Sequence, residues 1–131
     1  MIWKYALYAA SAGYAGVGVL HVIGGGASVA APLLRSELGP EARYLGYYAW
    51  HVVTIAIFAC AGAAFFAAWL KNAALAWLTA LLGLAWAALA GVVIVAFALT
   101  ALTVPLWILF APIGALCAVG ALGLQRGPAN S

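Results

Sequence analysis

Three long stretches of the sequence lack charged side chains. Residues 5–34, 44–70 and 72–125 contain no Asp, Glu, Lys or Arg. A helix that crosses a bilayer needs about 20 mainly apolar residues, so each of the first two stretches fits one crossing. The third is long enough for two, and Pro105 marks a break within it. We therefore predict a single domain over residues 1–131 with four spans, at 5–34, 40–70, 73–99 and 104–124.

The type of span follows from the spacing of the apolar residues. The stretches are rich in Ala and Leu and lack the alternation of apolar and polar residues that a membrane β-barrel shows. Helices satisfy their backbone hydrogen bonds internally, which lipid requires. The connections between the predicted spans are short. The predicted fold class is therefore an all-α integral membrane protein, a compact bundle of four transmembrane helices with short loops.

Composition excludes other classes. Of the 131 residues, 69% are hydrophobic and 5% are charged, whereas a soluble domain carries about 25% charged residues. A water-soluble fold and a disordered chain are therefore excluded. The net charge of +3 comes from basic residues spread along the chain, which predicts no nucleic-acid partner. The predicted partners are the lipid bilayer and further membrane subunits.

The basic residues also predict an orientation. With four spans, both termini share one side of the membrane, together with Lys4, Lys71 and Arg126. Arg35, Arg43 and both glutamates fall on the other side. The positive-inside rule counts basic residues and favours cytoplasmic termini. The segment Tyr47 to Thr54 resembles small bacterial inner-membrane proteins, which implies an inner-membrane location and carries no activity with it.

Two histidines, His21 and His51, fall well inside the predicted spans. Ionisable residues inside a bilayer are costly, and each marks a candidate functional site. If the first two helices are antiparallel, the two imidazoles lie at similar depth and could share one layer. Helical spacing adds further residues to this predicted pocket. They are Tyr14, Gly18, Gly25 and Ser28 on the first helix, and Tyr47 and Thr54 on the second.

Several interpretations of this pair remain open. The histidines could be packing groups that hydrogen-bond to neighbouring helices. They could ligate a b-type haem as a bis-His pair. They could handle protons or substrate in a small transporter or lipid-modifying enzyme. A mononuclear metal site would need further ligands, and no metal is predicted. The leading prediction is a non-catalytic homo-oligomer or an accessory subunit of a larger membrane complex.

Three consecutive glycines follow His21. Gly24, Gly25 and Gly26 each weaken a helix by roughly 1 kcal/mol relative to Ala. We therefore expect a kink or local unwinding there. Together with a kink at Pro112, it could open a lateral cleft for a lipophilic molecule.

Overall fold

A computed structural model describes residues 2–126 of the chain. Within this range the secondary structure is helical, without strands, and four helices are long and apolar enough to cross a membrane. We number them α1 to α4. Their bounds are Ile2–Leu34, Pro40–Trp69, Ala73–Ala96 and Leu106–Gln125.

The helix boundaries lie within three residues of those predicted from the sequence. Pro40 is the first residue of α2, where its missing N–H costs nothing, and Glu41 follows in the first turn. The turn between α2 and α3 contains Lys71 in the left-handed region, with φ 53°. Asn72 then caps α3, because its side chain accepts a hydrogen bond of 3.0 Å from the backbone N–H of Leu75.

The helices pack as an antiparallel bundle. α1 lies against both α2 and α4, and α3 packs mainly against α4. α3 and α4 approach each other closely at two glycines, since a Cβ placed on Gly83 would lie 3.1 Å from the Cα of Gly114. Small residues allow such contact between apolar helices. The largest fully buried side chains are those of Leu7, Tyr14, Ile57, Thr79 and Cys117.

The glycine triplet does not break α1. Residues His21–Ala30 form a π-helical segment between two α-helical parts, Ile2–Leu20 and Ala31–Leu34. The wider hydrogen-bond spacing is seen at its end, where the N–H of Ala31 donates to the carbonyl of Gly26, five residues back. The segment is therefore a widened but continuous helix and is not locally unwound. Gly permits this change because it restrains the backbone least.

The helices differ in length, so they do not end at the same level at one end of the bundle. α1 and α2 have 33 and 30 residues, whereas α4 has 20, so α2 is longer than α4 by about 15 Å at 1.5 Å per residue. Contacts of Gly120 with Leu7 and of Gly13 with Ile113 set α1 and α4 level at the end that holds Ile2 and Gln125. We call this the terminal end. The excess length of α1 and α2 therefore projects at the opposite end, which we call the loop end.

Candidate functional site

A cavity of about 530 Å³ opens at the loop end. Its walls come from the π segment, from α2, from residues 103–105 and from the start of α4. The volume falls within the range of about 300–1,000 Å³ that is typical of small-molecule sites. Most of the lining is apolar, including Val53, Ile57 and Phe110, and the polar side chains are few. They are His21, Ser28, Trp50 and Thr103.

His21 is held in this cavity by Trp50. The imidazole is stacked on the indole, with ring centroids 3.7 Å apart and planes 13° from parallel. Nε2 of His21 lies 3.4 Å from the backbone carbonyl of Trp50 and donates to it in the Nε2–H tautomer. In that tautomer Nδ1 is an acceptor, and the hydrogen bond of the ring to the described residues is made by Nε2 alone. His21, a residue of the cavity wall, therefore keeps one ring nitrogen that can accept a hydrogen bond.

Gly25 makes the position of Trp50 possible. A Cβ on this glycine would lie 2.5 Å from Cη2 of Trp50, much closer than a carbon contact allows. The indole therefore occupies the space that any other residue would fill at this position. A methyl group added at Gly24 or Gly26 would meet no atom within 4 Å. Of the three glycines, the central one, Gly25, is therefore the one that allows Trp50 to pack against α1.

The two hydroxyl groups of the cavity make hydrogen bonds to residues near them in the sequence. Ser28 Oγ donates to the carbonyl of Gly24 over 2.9 Å, and Thr103 Oγ1 is 2.7 Å from Oγ1 of Thr100. Ser28 therefore donates to its own helix and makes no hydrogen bond with His21. This arrangement differs from a hydrolase, in which the hydroxyl nucleophile bonds to its base.

His51 lines a separate groove of about 280 Å³. Its ring meets the ring of Tyr47 edge to face, with centroids 4.5 Å apart. Thr54 Oγ1, also in this groove, donates to the carbonyl of Trp50 over 3.0 Å. Trp50 is the residue common to the groove and the cavity. The two histidines therefore line different spaces.

The residues predicted for one pocket are divided among the cavity, the neighbouring groove and the packed interior of the bundle. His21, Gly25 and Ser28 belong to the cavity, and His51, Tyr47 and Thr54 belong to the groove.

The remaining two residues serve packing. Tyr14 is fully buried, and its hydroxyl donates to the carbonyl of Thr79 on α3 over 2.7 Å. Gly18 faces the ring of Phe58, and a Cβ there would lie 2.8 Å from it. Both residues therefore hold α1 against its neighbours instead of lining the predicted pocket.

Ligation of a haem by both histidines stays a prediction that this arrangement does not favour. Bis-His ligation needs the two imidazoles on opposite sides of one iron, whereas His21 and His51 line separate spaces that share Trp50. Within residues 2–126, no group of three or more His, Cys, Asp or Glu side chains is placed to hold a metal ion.

Sequence reasoning missed the α2 wall of the cavity. Trp50, Val53 and Ile57 recur at intervals of three and four residues and share one face of α2. The spacing is present in the sequence, but the prediction that starts from His51 selects a neighbouring face of α2. Of residues 103–105, the sequence indicates only Pro105, as a break between two spans.

Comparison with models of protein families, with curated protein sequences and with solved structures finds no match for this chain.

Proposed function

We propose that this protein is a multi-pass membrane protein that binds a lipophilic molecule carrying a hydrogen-bond donor at one end. The observation that carries the proposal is the loop-end cavity, which has mainly apolar walls and includes His21, whose Nδ1 is left to accept a hydrogen bond. Specific sites commonly combine such walls with a few polar groups that orient the ligand. The donor that suits this acceptor is a hydroxyl or an N–H group.

The membrane location is supported by the four apolar helices and by their surface. Many large apolar side chains are more than a third exposed on the bundle, for example Ile55, Leu81 and Val92. Water would disfavour such a surface, whereas lipid accommodates it. We place the chain in the cytoplasmic inner membrane with both termini in the cytoplasm, because three of the five basic residues lie at the terminal end.

A binding role fits the chemistry better than a catalytic one. Ser28 donates to its own helix, and His21 is stacked on Trp50 and bonded to backbone. The site therefore holds a ligand without presenting an activated nucleophile. We propose that the protein is a non-catalytic component, acting as a homo-oligomer or as an accessory subunit of a larger membrane complex.

Binding of two matched probes tests this function. The probes are 1-hexadecanol, which donates a hydrogen bond, and hexadecyl methyl ether, which only accepts one. We expect the purified protein in detergent to bind hexadecanol saturably at one site, by native mass spectrometry, and to prefer it to the ether. His21→Leu should weaken hexadecanol binding about fivefold, the effect of one hydrogen bond of about 1 kcal/mol. Binding of the ether should change little.

His51→Leu is the control, since His51 lines the neighbouring groove and not the cavity. It should leave the binding of both probes unchanged. Equal losses in the two histidine variants, or no preference between the alcohol and the ether, would show that His21 does not recognise a donor.

A further inference from the structure

A second concave surface lies at the terminal end, between the start of α1 and the end of α4. It is a groove of about 410 Å³ lined by Ile2, Trp3, Val119, Leu122, Gly123 and Arg126. We call it the terminal groove. Five of its six residues are uncharged and mostly apolar, and Arg126 supplies the charge. The loop-end cavity shares none of these residues.

Close contact between α1 and α4 forms the floor of the groove. Gly123 lets the backbone of α4 approach Trp3, since a Cβ at this glycine would clash with the Cβ of Trp3. Gly120 meets Leu7 in the same way one turn deeper. The walls are open, because Val119 is 53% exposed and Leu122 is 38% exposed. The groove is thus a shallow apolar channel along the outer surface of the helix pair.

Arg126 stands at the end of this channel. Its backbone N–H caps α4 by donating to the carbonyl of Leu122 over 3.1 Å, and its side chain is exposed. Both acidic residues of the chain, Glu37 and Glu41, lie at the loop end. The basic residues of the terminal end are Lys4, Lys71 and Arg126. Among residues 2–126, the two carboxylate side chains therefore lie at the opposite end of the bundle from Arg126, and the charged side chains of the terminal end are basic.

We propose that the terminal groove binds a phospholipid with an anionic headgroup. Arg126 bonds the phosphate, and one acyl chain lies along Val119 and Leu122. Guanidinium groups bind phosphate through two parallel hydrogen bonds, and basic sites between helices on the cytoplasmic side are typical of anionic lipid binding. The apolar walls select a lipid over a free phosphate ion. This inference rests on the proposed membrane location and is independent of the ligand of the loop-end cavity.

Two lipids with identical acyl chains test the proposal. Dioleoyl phosphatidylglycerol is anionic and dioleoyl phosphatidylcholine is zwitterionic, and each is titrated into the full chain in detergent and followed by native mass spectrometry. We expect the wild type to bind phosphatidylglycerol at least fivefold more tightly than phosphatidylcholine. Arg126→Gln should remove most of this preference, and Arg126→Lys should retain part of it because charge remains without the two-pronged geometry.

The controls separate a built site from diffuse charge. Lys71→Gln removes a positive charge from the same end but outside the groove, and should change binding of phosphatidylglycerol less than twofold. Val119→Trp fills the channel without changing charge, and should weaken binding of both lipids. Equal effects of the Arg126 and Lys71 variants, or unchanged binding in Val119→Trp, would overturn the proposal in favour of nonspecific attraction.

Hexadecanol binding provides an independent readout in the same variants. Arg126→Gln should bind hexadecanol as the wild type does, because the groove and the cavity share no residue. If the wild type binds hexadecanol but does not prefer phosphatidylglycerol, only the proposed terminal site is overturned. Failure of hexadecanol binding with intact lipid preference would overturn the cavity proposal alone.

Discussion

Trp50 determines the arrangement of the candidate site at the level of single residues. One face of its ring stacks on His21, its edge fills the space above Gly25, and its backbone carbonyl accepts hydrogen bonds from His21 and Thr54. It also lines both the cavity and the neighbouring groove. Displacing this one side chain would therefore remove the stacking partner of His21 and a wall that the cavity and the groove have in common.

Alanine substitutions in the glycine triplet test this role of Trp50. Gly25→Ala should destabilise the protein by about 1–3 kcal/mol, the usual cost of overpacking a tight contact, because the new methyl group would overlap the indole. Gly24→Ala and Gly26→Ala meet open space and should be neutral or stabilising by up to about 1 kcal/mol. The free energy of unfolding in detergent, measured by titration with a denaturing detergent, checks this. Equal effects at all three positions would mean that the triplet matters only for helix propensity.

At the residue level, the sequence indicates the two histidines as candidates, but it does not indicate that they line separate spaces. His21 and His51 stand out in the sequence as polar residues deep in apolar helices, and helical spacing places Gly25 and Ser28, which line the same cavity, beside His21. Which faces meet depends on how far each helix is rotated about its axis. That rotation is set by contacts such as Gly18 with Phe58, which connect residues far apart in the sequence.

At the level of elements, the π segment of α1 sets the site apart from the rest of the bundle. Between this segment and the terminal end, α1 packs closely on α4 through Gly13 and Leu7. Along it, the packing partner of α1 is α2, and the cavity lies between the segment and the start of α4. π-helical turns are rare and occur frequently at functional sites. The glycine composition indicated a weak helix here, but it did not distinguish local unwinding from a widened, continuous helix.

A buried hydrogen bond connects α1 to α3 just below the cavity. Tyr14 is fully buried and donates to the carbonyl of Thr79, and its ring contacts that of Phe110, with centroids 6.3 Å apart. Tyr14→Phe keeps the ring and removes the hydroxyl, so we expect a loss of stability of about 0.5–1.5 kcal/mol.

The matched control for this bond is Tyr44→Phe. Tyr44 is 60% exposed, and loss of its hydroxyl should change the free energy of unfolding by less than about 0.5 kcal/mol. Unfolding of both variants in detergent gives the comparison. If Tyr14→Phe proves no more costly than Tyr44→Phe, the bond does not hold α1 to α3.

The whole molecule combines two unlike ends. The terminal end is even and basic, with its helices level and closely packed, whereas the loop end is uneven, holds both acidic residues and carries the cavity. The number of helices and their bounds followed from the charge-free stretches, because the bilayer fixes the length that a span needs. The cavity could not be predicted from these stretches, since it arises from unequal helix lengths combined with the packing register of α1 and α4.

The central claim is that the loop-end cavity holds a lipophilic molecule, and filling the cavity tests it most directly. Val53 lines the cavity, and its neighbour Val52 does not; both are on α2 and are 40% and 45% exposed, respectively. The measurement is saturable hexadecanol binding to Val53→Phe and Val52→Phe by native mass spectrometry. We expect binding to fall at least tenfold in Val53→Phe and to remain at the wild-type level in Val52→Phe. Equal binding in both variants would contradict the assignment of the cavity as the ligand site.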